Sequence, residues 1–167
     1  MTWAQGTDAS DVLRKAIKTF IETWLADDAY KTRLPRVNRK VFLPGERQDA
    51  QLKIVIVTAN DEQIPHVYVE GTHEVSEDFH RVAIVVKSDK KGGGPQAVSQ
   101  MHAALKALFT AAMKEGTPEC SARLAAGFYN LRLSAEGFDI APGDMAEEGT
   151  FFRQDLYLTC STDTFLN

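Results

Sequence analysis

Two periodicities alternate along the chain. From Phe79 to Lys87, FHRVAIVVK, His80, Val82, Ile84 and Val86 fall on one face, and Arg81, Ala83, Val85 and Lys87 on the other. That is the period-two pattern of a strand. The loop SDKKGGG and Pro95 follow, and proline suits the first turn of a helix. Ala97, Val98, Met101, Ala104, Leu105, Leu108, Phe109 and Ala112 then form a helical stripe. An earlier stripe, Leu13, Ala16, Ile17, Phe20, Ile21 and Trp24, predicts a first helix capped by Thr7 or Asp8 and ending near Asp27 or Asp28. Between them, Leu52–Thr58 is almost wholly apolar or β-branched, a strand with both faces covered. Ile64–Glu70 is a further strand, and the acidic stretch 71–78 extends it as a ribbon. Phe128–Ser134 and Phe151–Ser161 supply two late strands, with Phe152, Leu156, Leu158 and Cys160 inward and Arg153, Asp155, Tyr157 and Thr159 outward. Pro118 opens a short helical turn within 116–127, and residues 1–7 and 162–167 read as loose ends.

The order α-β-β-β-α-β-β predicts an α+β fold: a mainly antiparallel sheet carrying two amphipathic helices. The 167 residues form a single domain, 1–167. Residues 30–51 stand apart as a long polar connector, basic at Arg33, Arg36, Arg39 and Lys40, and read as a functional arm or a hairpin.

Charge narrows the function classes. A net charge of −4 argues against general binding to a phosphate backbone. The two cysteines, Cys120 and Cys160, have no metal-like spacing and suit a reducing compartment. The N-terminus has no signal-peptide pattern, and no apolar run reaches the ~20 residues of a membrane span, so the expected site of folding is the cytoplasm.

Candidate chemistry is sparse. His66, His73 and His80 are seven residues apart, which places successive members on opposite faces of a strand. KSDKKGGGP precedes a helix, as a phosphate cradle would, but no Lys-Ser/Thr pair follows the last glycine. Asp144, Glu147 and Glu148 read as a solvated acidic loop rather than catalytic carboxylates. The expectation is a non-enzyme without metal or cofactor. The outward faces are less polar than a solvated sheet requires, at Val55, Val57, Ala83, Val85, Tyr68 and Tyr157. Either a partner covers them, or a helix packs on each side of the sheet.

The succession of a first amphipathic helix, IPHVYVEG, HRVAIVVKS, a glycine loop, an alanine-rich helix and a final FFRQDLYLTCST resembles the tail terminator proteins of long-tailed bacteriophages over residues 8–161. The resemblance lies in element order and local flavour. It implies a virion protein, assembled in the host cytoplasm, that forms a hexameric ring. The ring caps the tail tube, stops its growth and offers a surface to the head-side connector or completion protein. DNA passes through without specific binding. A head–tail joining protein of related fold is the alternative, with a small cytoplasmic α+β enzyme or an anion-binding module behind it. By charge and loop position, the residues that would meet other subunits or the tube are Arg33, Arg36, Arg39, Lys87, Lys90, Lys91, Gly92, Gly93, Gly94, Asp144, Glu147, Glu148, Arg153 and Tyr157. The acidic segments 70–78 and 144–148 would pair with the basic segments 31–40 and 87–91.

Overall fold

The computed structural model describes residues 2–59, 65–134 and 145–166. In chain order the elements are β1 (Thr2–Trp3), α1 (Ala9–Leu25), α2 (Asp28–Lys31), β2 (Arg39–Phe42), β3 (Leu52–Ala59), β4 (His66–Glu70), β5 (His73–Asp89), α3 (Gly94–Met113), α4 (Pro118–Ala126), β6 (Tyr129–Leu133), β7 (Ala146–Glu148) and β8 (Phe151–Phe165). The class is α+β, with a mixed eight-stranded sheet and four helices among the described residues.

Strand β5 is the axis of the sheet. Residues 81–88 pair antiparallel with β3, residues 73–77 pair antiparallel with β4, and nearly its whole length pairs antiparallel with β8. The sheet runs β1-β8-β5-β3-β2, with β6 and β7 also on β8. The expected antiparallel sheet is therefore interrupted at both edges, where β1 runs parallel to β8 and β2 parallel to β3. The second of these is possible because β2 has only four residues. Its return to the start of β3 covers ~13 Å, which the loop 43–51 spans without a crossover helix.

The connector 30–51 is part of the sheet's framework rather than a free arm. Tyr30 is buried and its hydroxyl donates to Glu119 Oε1 at 2.9 Å, tying α2 to α4. Val41 and Phe42 are buried from β2. The ends are also more ordered than expected. Trp3 joins the core, and β8 continues to Phe165 because the acidic half of β5 offers it a ladder, from Phe79 opposite Ser161 to Val75 opposite Phe165.

One face of the sheet holds the main core. Helix α1 starts at Asp8, whose carboxylate accepts from the Ser10 and Asp11 amides. It buries Leu13, Ile17, Phe20, Ile21 and Leu25. Helix α3 buries the whole predicted stripe from Ala97 to Ala112 against β5 and β8. Helix α4 ends at Gly127, and its Arg123 is buried, donating to the Ala112 and Phe128 carbonyls. This guanidinium fastens the end of α3 to the start of β6.

The opposite face carries a smaller cluster of Phe42, Ala50, Val55, Ala83, Val85 and Tyr157. Its side chains are buried within the single chain, so Val55, Ala83, Val85 and Tyr157 are covered by the chain itself, while Val57 and Tyr68 stay half-buried. Tyr157 and Asp155 were expected outward, yet they are 1% and 0% exposed. The reason is local chemistry. Arg153 and Asp155 are two residues apart on one strand face and form a two-pronged pair, Nε to Oδ1 and Nη2 to Oδ2, both 2.8 Å. The Tyr157 hydroxyl donates to Asp155 Oδ2 at 3.0 Å. A buried carboxylate is tolerated when paired and hydrogen-bonded in this way.

Candidate functional site

The turn from β5 into α3 needs its three glycines for structural reasons. A Cβ at Gly92 would overlap the Ser88 hydroxyl and the Gln51 carbonyl. Gly93 has φ +100°, the left-handed region that side chains avoid, and a Cβ there would lie 2.7 Å from Ala97 Cβ. The Gly92 amide is taken by Asp89 Oδ1 at 2.7 Å. A carboxylate thus occupies a donor that a phosphate cradle would need. The loop is a close-packed connection.

Around this turn the structure assembles the predicted basic residues. Gln100 of α3 donates to the Arg33 carbonyl at 2.9 Å, which lays segment 31–40 beside the α3 start. Arg33, Arg36, Lys90 and Lys91 are exposed there. On the sheet, Lys40, Lys53, Lys87 and Arg153 are successive cross-strand partners on β2, β3, β5 and β8. Like charges directly opposite one another repel. The row is moderated by its neighbours. Lys40 lies 3.5 Å from Asp49, Lys53 Nζ sits 4.8 Å from the Phe151 ring centroid, and Arg153 holds Asp155.

The acidic segments separate. Strand β7 pairs with β8 so that Ala146 lies opposite Arg153 and Glu147 opposite Phe152. The 146–148 acids are thus next to the basic row in their own chain, not on a distant surface. Asp144 and the side chain of Glu148 lie outside the described residues. Segment 70–78 occupies the other end of β5. There Glu77 faces His66 on one side and Asp163 on the other, and the Tyr68 hydroxyl donates to Asp163. Burial raises the Asp163 carboxyl, Tyr68 offsets part of this, and Glu77 and Glu70 raise it further. Burial also raises Asp78, with Asp163 adding to it. Burial together with Asp163 pushes the Tyr68 hydroxyl up to about 12.

Beside β2 lies an open cleft of about 880 Å³ between α1 and the loop after β2. Leu25, Val37 and Val41 give it apolar walls, and Lys18, Arg39, Lys40 and Arg47 give it cations. Sequence reasoning missed it because β2 was not resolved within the connector.

His80 bonds Thr162 Oγ1 at 2.8 Å, and His102 bonds the Asp155 carbonyl at 3.1 Å. Burial pushes the Cys160 thiol up to about 12. Among the described residues no cluster of three potential metal ligands occurs, and no helix is long and apolar enough to cross a membrane.

No family model and no curated protein matches the chain. One solved structure aligns over 93% of this chain and 96% of its own, with 16% identity and a TM-score of 0.44.

Proposed function

We propose that this chain is a structural virion protein of the tail terminator type. In this reading its copies form a ring that caps the tail tube, ends its polymerisation and receives the head-side connector. The observation that carries the reading is the segregation of charge along β5. Basic segments distant in sequence, 31–40 and 87–91, meet at one end of the sheet, and the 70–78 acids lie at the other. A subunit with two unlike patches makes heterologous contacts, which close into rings when the rotation allows. The protein works by contact and catalyses no reaction. It acts in the virion, after assembly in the host cytoplasm.

Deleting the gene from its phage tests this. The expected result is headless particles with tubes of unregulated length, restored by the intact gene. Tubes of normal length joined to heads in the deletion would end the reading.

A further inference from the structure

We infer that β4 of one copy pairs antiparallel with β4 of a second copy across a two-fold axis, edge to edge. This goes beyond the ring reading and does not rest on it.

The outer edge of β4 is open. Among the described residues this strand, HVYVE, pairs only with β5. The two-residue turn Gly71–Thr72 fixes which backbone groups the edge presents. Glu70 and His73 close that turn as register partners, so they exchange both backbone bonds within the hairpin. Bonding alternates along a strand. His66, Tyr68 and Glu70 therefore turn their amides and carbonyls to β5, and Val67 and Val69 turn theirs outward. The same alternation places the Glu74 carbonyl on the β8 side, where it accepts from the Leu166 amide at 2.8 Å. Val67 and Val69 are also 54% and 70% exposed. An edge guarded against pairing carries a lysine, a proline or an inward charge. Here the outward-bonding positions hold valines, and Pro65 lies just outside the strand.

The strand is its own complement. Set against a second copy in reverse, with Tyr68 opposite Tyr68, it places Val67 opposite Val69 and His66 opposite Glu70, each twice. Outward groups then meet outward groups. The two Val67–Val69 pairs exchange both of their backbone bonds, and the tyrosines form the close, non-bonded pair. The neighbouring registers of the same parity bring Val69 opposite Pro65, which has no N–H, or Val67 opposite Gly71 in the turn. On one face the pairing gathers the valines of both copies. On the other, histidine and carboxylate alternate across the strands: His73, Glu70, then His66 and Glu77 of the second copy. Among the described residues Glu70 makes no ion pair, while His66 approaches its own Glu77 through Nδ1, 3.7 Å from Oε2, which leaves Nε2 for the second copy's Glu70. Asp163 lies beyond Glu77 and is held by the Tyr68 hydroxyl. A second copy meets this order by symmetry, with every contact made twice. So short a strand makes a small contact, of the size that gives weak association, and the dimer belongs to high protein concentration.

Sedimentation velocity over a concentration series tests the pairing with wild type, Val67→Glu, Val69→Lys and an equimolar mixture of the two variants. Both positions are exposed, and the new lysine faces Glu74 across its own hairpin, so each variant should keep the wild-type circular dichroism spectrum and Tm. Wild type should pass from monomer to dimer as concentration rises. Each variant alone sets like charges diagonally across the two-fold axis and should dimerise at least about tenfold more weakly. In the mixture the glutamate of one variant lies opposite the lysine of the other and one Val67–Val69 pair stays intact, so a heterodimer should return. A wild type that is monomeric throughout, variants that dimerise like wild type, or a mixture no tighter than either variant would each overturn the pairing. Wild-type rings indifferent to both substitutions would do so while leaving the ring reading in place, and the tail-length experiment judges that reading separately.

Discussion

Strand β5 passes through two environments. From Val82 to Val86 every residue is buried, with Val82, Ile84 and Val86 under the helices and Ala83 and Val85 in the smaller cluster opposite. From His73 to Phe79 the same strand lies between β4 and the end of β8, with Val75 and Ser76 buried, carboxylates near one another, and the valines of its hairpin partner in water. The first half is shaped by the need to exclude solvent. The second half mixes buried side chains with partly buried carboxylates and leaves Val67 and Val69 of β4 exposed.

The largest test of this contrast compares truncations at its two extremes. Ile84 is fully buried at the centre of the main core, and Ile84→Ala should cost about 4 kcal/mol in denaturant unfolding. Val69→Ala, at 70% exposure, should change stability by less than about 0.5 kcal/mol. A similar loss at both positions would mean that the hairpin is part of the core and not a projecting arm.

The buried polar network on the second face comes next. Arg153→Ala leaves the Asp155 carboxylate at 0% exposure with the Tyr157 hydroxyl but without its two-pronged partner. Removing one member of a buried pair costs about 3 kcal/mol. Urea titration of Arg153→Ala should show that loss, and an unchanged midpoint would refute the pairing.

Much of the fold follows from periodicity because its central elements are long. Helix α3 buries each residue that its stripe nominated, β3 and β4 fall on the predicted strands, and β5 contains the predicted 79–87 but also takes in 73–78, which read as an extension of the strand before it. What escaped has a physical reason in each case. Strand β1 is two residues long and gains its partner, Asp163–Thr164, from the far end of the chain. Strand β2 reads RKVF, too short and charged for alternation to register. Asp155 reads as a surface residue until one notes that Arg153 and Tyr157 flank it at strand spacing and can satisfy it inside. The basic site was legible as charges, but their convergence needed the α3 register that places Gln100 on Arg33.

The glycines at the two ends of β5 sharpen the comparison on a smaller scale. Gly93 and Gly71 both have positive φ, but only Gly93 is crowded, with Ala97 in the path of a Cβ. Gly93→Ala should cost about 2 kcal/mol, combining backbone strain and overlap. Gly71→Ala, in open space, should cost about 1 kcal/mol from conformation alone. Thermal unfolding of the pair separates the packed turn from the free one, and equal losses would remove the distinction.

The smallest effect is one of sign. His102 lies under the sheet, and burial lowers its pKa below 6.5. Its unfolded form binds a proton that the folded form resists, so stability rises with pH in this region. That contribution is present above pH 6.5 and is lost as pH falls through it towards the lowered folded value. Asp78 and Asp163 act in the opposite direction, since both are raised above 3.8. Folding holds protons that the unfolded chain has released, so their contribution is lost as pH rises from 3.8 through the raised folded values. Subtracting the stability-versus-pH curve of Asp163→Asn from that of wild type isolates one member of the pair from other titrating carboxylates. The difference should slope downward with rising pH in the acid range. The same subtraction with His102→Gln should slope upward near neutrality. If the Asp163 difference instead rose with pH, its carboxylate would be stabilised in the fold, and burial would not dominate its surroundings at the hairpin end of β5.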